Sequence, residues 1–214
     1  MIITFPDGNK REFADGMTGL EIANEISPGL ARATLSCSID GAHSDAFRPI
    51  HGDHQLTFYT FKDENGRWAY RHTASHVLAQ AVKRLWPETK LAIGPAIENG
   101  FYYDFDTPET FSPEDLAKIE AEMVKIEKED QKIERFELPR AEAIAFVEEQ
   151  GESYKAELIR DLPEDAIISF YRQGDFVDLC AGPHVKSTGI VKNIKLLNVA
   201  GAYWRGSEKN KMLQ

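Results

Sequence analysis

The sequence predicts an α+β protein in two modules, on three observations. The first sixty residues read as short strands around one short helix. A polar, glycine-containing stretch, Lys62-Asp63-Glu64-Asn65-Gly66-Arg67, then interrupts the pattern, and beyond it longer amphipathic helices alternate with strands and hairpins. At 214 residues, 42% hydrophobic and 28% charged, the chain is long enough for two small cores. The polar break places the modules at 1–62 and 63–214.

Ile2 to Phe5 alternates into Pro6-Asp7-Gly8-Asn9, where Pro presets φ and Gly or Asn accepts positive φ, and Lys10 to Phe13 returns as a hairpin. Thr18-Gly19-Leu20-Glu21 has the spacing of a capping box and opens a helix ending at Ser27-Pro28-Gly29. Strands at Ala33 to Ile39 and Gln55 to Phe61 complete a β-β-α-β-β order. His43, His51 and His54 fall in the polar loop between them, with no partner at ligand spacing, and are expected to be solvated. Cys37 alternates with Leu35 and Ile39 and should be a small buried residue.

In the second module a helix is predicted from about Tyr70 to Trp86, closed by Pro87, with Ala74, Leu78, Ala81, Val82 and Leu85 as its apolar stripe. Leu91 to Ile97 and Phe101 to Phe105 read as a hairpin about Asn99-Gly100. Ser112-Pro113 starts a helix whose outer face is a solvated run of Glu and Lys. A strand from Ile133 to Leu138 precedes helices at Ala141 to Gln150 and Ser153 to Arg160. Ile167 to Arg172 and Phe176 to Cys180 pair about Gln173-Gly174-Asp175, and a last strand is expected at Ile194 to Val199. Lys209 to Gln214 is polar and is expected to add no closing element.

The net charge of −10 argues against general electrostatic gripping of nucleic acid, so any RNA contact must be local or shared with something outside this sequence. Two cysteines far apart, with no C-x-x-C spacing, suit a reduced, cytoplasmic setting. The first residues lack the pattern of a signal peptide, and no apolar run is long enough to span a bilayer, so no membrane role is expected.

Beyond residue 60 there are three histidines and one cysteine, all in two stretches: Tyr70-Arg71-His72-Thr73-Ala74-Ser75-His76-Val77 and Asp178-Leu179-Cys180-Ala181-Gly182-Pro183-His184. On a helix His72 and His76 share a face, about 5–6 Å apart at Cβ. That face lies opposite the apolar stripe, so the alternatives are a site or a solvated surface shared with Gln80 and Lys83. Asp178 and Cys180 point to one side of a strand, and the Gly182-Pro183 turn brings His184 round to them. Three chemistries fit. Four N and S ligands would suit tetrahedral zinc. Imidazoles could instead position a water, with Lys155 neutralising developing charge and Asp178 fixing a tautomer. Cys180 could attack an ester as a nucleophile, if it were an activated thiolate.

The paired motifs His72-x-x-x-His76 and Cys180-x-x-x-His184, behind a sixty-residue β-grasp-like module, resemble the N-terminal half of the bacterial threonyl-tRNA synthetase family. The stretches Gly94-Pro95-Ala96-Ile97-Glu98-Asn99-Gly100-Phe101-Tyr102-Tyr103-Asp104 and Gly201-Ala202-Tyr203-Trp204-Arg205-Gly206 support it, and the match covers essentially the whole chain. The His and Cys/His motifs are shared with alanyl-tRNA editing domains, while the leading module and the Gly201 to Gly206 stretch narrow the likeness to the threonyl type. The resemblance implies a β-grasp (ubiquitin-like) TGS domain at 1–62. It implies an α/β sandwich editing domain at 63–214, including the start of a linker to a catalytic domain that this sequence lacks. It implies hydrolysis of seryl-tRNA(Thr) by His72, His76, Lys155, Asp178, Cys180 and His184, with Tyr103 as a pocket wall. ATP use, a structural zinc and homodimerisation would belong to the domains not present here.

Such a site has a physical rationale. Serine lacks one methyl of threonine, and a single carbon discriminates by only about 1–3 kcal/mol, so a second sieve is needed to remove serine. His72 or His76 is expected to position a water on the ester carbonyl, with Lys155 stabilising the oxyanion. Substituting His72 and Lys155 should abolish deacylation and leave the fold intact. Alanyl-type editing domains hold zinc at the positions of His72, His76, Cys180 and His184; the threonyl likeness favours a metal-free site. Competing readings are a zinc-dependent alanyl-type hydrolase, a non-catalytic RNA-binding or regulatory TGS module, and a metallopeptidase, weakened because Thr73 stands where a zincin has Glu.

Overall fold

A computed structural model describes residues 1–214. Strands β1 (Ile2–Thr4) and β2 (Lys10–Glu12) form the opening hairpin, with Gly8 at φ +84° in its turn. Helix α1 (Gly19–Ile26) starts at a complete capping box, in which the Thr18 hydroxyl accepts from Glu21 N–H and the Glu21 carboxylate accepts from Thr18 N–H. The helix does not end the helical segment. Ser27 closes α1 and caps α2 (Pro28–Ala33), because its hydroxyl accepts from Gly29 and Leu30 N–H and Pro28 suits a first helical position.

Strands β3 (Ser36–Ile39), β4 (Ala42–Ser44) and β5 (His54–Tyr59) complete a sheet of order β2-β1-β5-β3-β4, with β1 and β5 parallel. Ile3, Ile22, Cys37 and Leu56 lie in the core between this sheet and α1, so Cys37 is buried as expected and its thiol is pushed up to about 12 by desolvation. β4 takes His43 out of the supposed loop. His43 is half-buried, bonded to Ser36 and packed on Trp68, whereas His51 and His54 pair with Asp15 and Asp40 at the surface.

The segment from 62 to 67 turns directly into a helix. Asp63 folds back to accept from Thr60 N–H, and α3 (Glu64–Leu85) begins one residue later, six before the predicted start. Gly66 permits this turn, since a Cβ there would meet Thr60 O at 2.0 Å. α3 is the central helix and is buried on every side from His72 to Val82, so there is no solvated face: Gln80 is buried and bonded to Gln131 and to Gln173 O.

Strands β6 (Lys90–Leu91), β7 (Ala96–Ile97), β8 (Gly100–Phe101) and β9 (Phe105–Asp106) form two short ladders, with Glu98-Asn99 rather than Asn99-Gly100 at the tip. α4 (Pro113–Glu129) starts at a Ser112 capping box and packs on α3. β10 (Ile133–Glu137), β11 (Ser169–Gln173) and β12 (Phe176–Leu179) make an antiparallel sheet. Phe136, Phe170 and Leu179 face α5 (Arg140–Glu149) and α6 (Ser153–Asp161), while Ile133 and Tyr171 face α3, an α/β sandwich. The strand expected at Ile194 to Val199 is absent. Ile194 and Leu196 pack against the α3–α4 core and Leu196 N–H goes to Glu120, so helices rather than a sheet edge hold the segment. A closing element does exist. β13 (Ala202–Tyr203) pairs with β14 (Met212–Leu213), Leu213 is buried, and Gln214 exchanges backbone bonds with Phe105.

Candidate active site

His72 and His76 lie one turn apart on α3, Lys155 comes from α6, Asp178 from β12, and Cys180 and His184 from the loop after it, which contains a cis Gly182-Pro183 bond. Tyr103 enters from the segment between β8 and β9, its ring packed over Gly94, where a Cβ would lie 2.0 Å from the ring. The structure brings all six residues and Tyr103 together. It does so as two touching clusters.

In the first, Lys155 Nζ lies 2.7 Å from Asp178 Oδ1, the Tyr103 hydroxyl donates to Asp178 Oδ2 at 2.6 Å, and Lys155 Nζ donates to the Tyr103 oxygen at 3.1 Å. Burial opposes charge on Asp178, but Lys155, the nearby His76 and the Tyr103 hydroxyl outweigh it and hold the carboxyl below its ordinary value. Tyr103 is pushed well above its ordinary range, first by burial and then by Asp178. It is a fixed hydroxyl donor, not an acid.

In the second, His184 stacks on His72 at 4.2 Å between ring centres and lies equally close to His76, while His76 Nε2 is 3.6 Å from Asp178. Burial lowers His72 to about 4, His76 to about 3, and His184 well below its ordinary value, so all three imidazoles are neutral near pH 7. Burial likewise raises the Cys180 thiol, which is therefore protonated. That disfavours the nucleophilic-cysteine chemistry, which needs a thiolate.

The hydrogen bonds assign two tautomers. His72 Nδ1 faces the Pro183 carbonyl at 3.2 Å and must carry a proton, leaving Nε2 as a lone pair 3.2 Å from Cys180 Sγ. Thr73 gives its hydroxyl proton to Ala69 O and accepts from Val185 N–H, so it can only accept from His184 Nδ1, 2.9 Å away. His184 Nε2 is then a second lone pair, 3.3 Å from the same sulfur. One thiol proton cannot satisfy both. His184 is wholly buried and His72 is 8% exposed, so His72 is the more accessible of the two rings. Sequence reasoning passed over Thr73, treating it only as a residue that breaks a zincin pattern; its place at i+4 from Ala69 is the signal that a helical hydroxyl would back-bond and present only its lone pairs.

The same donor set suits a cation. His72, His76, Cys180 and His184 offer ligand atoms within 4.8 Å of one another. Tetrahedral zinc would draw such atoms to about 3.3–3.8 Å apart, so donor type fits and the widest spacing would have to close.

This fold and this constellation define a class. Residues 1–60 match the TGS domain, and residues 168–214, which contain Asp178, Cys180 and His184, match the threonyl and alanyl tRNA synthetase second additional domain. Within that class, 212 of the chain's 214 residues are similar to part of threonine--tRNA ligases. The threonine--tRNA ligase of Acetivibrio thermocellus is 65% identical over 212 residues, that of Clostridium botulinum strain Kyoto 61%, and that of Carboxydothermus hydrogenoformans 60%. Each alignment covers 99% of this chain and 33% of the relative, so the chain spans about a third of the length of the relatives it matches.

Proposed function

We propose that the chain divides at about residue 62 into a TGS domain and an editing domain, and that the second hydrolyses seryl-tRNA(Thr) to serine and tRNA(Thr) in the cytoplasm. The observation that carries this is the buried Lys155–Asp178–Tyr103 cluster beside three neutral imidazoles, in a chain homologous to threonyl-tRNA synthetases. The TGS match at 1–60 supports the division, and the absence of any helix long and apolar enough to cross a membrane is consistent with the location.

In the proposed reaction the aminoacyl ester enters at His72. The His72 Nε2 lone pair takes a proton from a water as its oxygen bonds to the ester carbonyl carbon. Lys155 stabilises the oxyanion, with Asp178 and Tyr103 holding its Nζ in place. Collapse breaks the ester C–O bond, and the ribose oxygen leaves with the proton that His72 returns. His76 and Cys180 shape the pocket against the seryl side chain, while His184 orients the thiol. A zinc ion held by His72, His76, Cys180 and His184 would act as a Lewis acid, though four protein ligands leave no open position for water. We therefore favour a metal-free site: full activity after chelation, with no stoichiometric zinc by elemental analysis, is the expected result, and joint loss of zinc and activity would reverse it. The test of the function is deacylation of seryl-tRNA(Thr) against threonyl-tRNA(Thr), where only the seryl ester should be cleaved quickly. A non-catalytic TGS module would cleave neither.

A further inference from the structure

The first module reaches into the site of the second. Asp45, just after β4, is 1% exposed, and both its oxygens are used by residues more than a hundred positions away. Oδ1 accepts from the His184 backbone N–H at 2.7 Å, and Oδ2 accepts from the Tyr171 hydroxyl at 2.7 Å. Tyr171 in turn lies against the His184 ring, 4.5 Å between centres, and its oxygen fills the space that a Cβ on Gly182 would need. A single carboxylate thus fixes the backbone of His184 and one wall of its ring. Burial pushes the Asp45 carboxyl above the ordinary value, against the two hydrogen bonds and the nearby Arg48 and Arg135. Leu35 and Phe47 of the same module pack with Ala74, Tyr171 and Val185, so the clamp sits in a shared apolar core.

We infer that Asp45 is a positioning residue for the editing site: it holds His184 so that its Nδ1–H meets Thr73 and its Nε2 meets Cys180, which leaves the His72 lone pair for water. The inference rests on the hydrolytic function proposed above. It makes the TGS module part of the catalytic architecture rather than an appended RNA-binding unit.

Substitutions in the 214-residue chain test it. Asp45→Ala removes both acceptors; Asp45→Asn keeps one for His184 and gives the Tyr171 oxygen an N–H partner. Misplacement of a reacting group commonly costs up to 10²-fold, so kcat for seryl-tRNA(Thr) should fall about 10- to 100-fold in Asp45→Ala, with KM changed less than about twofold and Asp45→Asn within roughly threefold of wild type. Asp40→Asn, at an exposed pair in the same module, should leave kcat unchanged. In ¹⁵N imidazole spectra Asp45→Ala should move the His184 and His72 resonances while those of His51 and His54 stay. A rate loss with His184 unmoved, equal losses in the Ala and Asn variants, or wild-type kcat in Asp45→Ala would each overturn the inference. Should wild-type chain prove inactive, the function above fails, and the His184 resonance alone decides the positioning role. Should Asp45→Ala not fold, Tyr171→Phe is judged by the same resonance and rate.

Discussion

Lys155 shows how burial changes the expected outcome of a substitution. The sequence suggests that removing it would abolish activity and spare the fold, but Lys155 is 4% exposed and its partner Asp178 is 3% exposed. Deleting one member of a buried ion pair leaves the other charge uncompensated, at a cost of about 3–5 kcal/mol. Lys155→Ala should therefore lose deacylation and also unfold at markedly lower denaturant; a stability equal to wild type would contradict the pairing. His72→Ala leaves no charge behind and should abolish deacylation with a loss of only about 1 kcal/mol, measured by the same titration.

The histidines also set a pH dependence. Their folded values lie below the ordinary 6.5, His72 at about 4 and His76 at about 3. Below pH 6.5 the unfolded chain takes up protons that the folded chain refuses, so their contribution is fully present above 6.5 and is lost as pH falls towards 4. Denaturation of metal-free protein between pH 7.5 and 5 should show stability falling steadily below 6.5. A flat profile would mean that the three rings are not buried neutral.

Among the elements, those with local signals were legible and those set by packing were not. The capping box at Thr18 and the N-cap with Pro at Ser112-Pro113 name their own helices, because the residues of each signal lie within three positions. α3 carries a weak stripe, and the reason is its position: a helix packed on all sides by α4, the β10–β12 sheet and the first module has no polar face to reveal its orientation. β4 and β14 are two or three residues long and depend on a partner strand for their existence. Glycines act at this scale too. Gly94→Ala would push its Cβ into the Tyr103 ring and displace the hydroxyl from Asp178. Overpacking of this kind costs about 1–3 kcal/mol, and kcat should fall with it. A variant with unchanged melting temperature and rate would show that the ring can move away without consequence.

At the scale of the whole molecule, the two predicted modules share a core. Leu35 and Phe47 lie with Ala69, Ala74, Ile133 and Val185 in one cluster, and Asp45 bridges to Tyr171 and His184. Chemical unfolding should therefore be a single transition, with tryptophan fluorescence and far-UV circular dichroism coinciding. Two separated transitions would mean that the modules fold independently.

By itself the sequence determined the α+β class, the strand-rich first module, and the residues that gather at the candidate site, because these rest on residue type, short-range spacing and the histidines and cysteine gathered in two stretches. Only the tertiary structure decided that α3 is buried all round, that Thr73 faces the His184 ring, that burial raises the Cys180 thiol, and that Asp45 of the first module bonds to the His184 backbone and Tyr171. The physical reason is separation along the chain. His184 meets Thr73 across 111 residues and Asp45 across 139, and no local periodicity encodes which distant acceptor a buried donor will find.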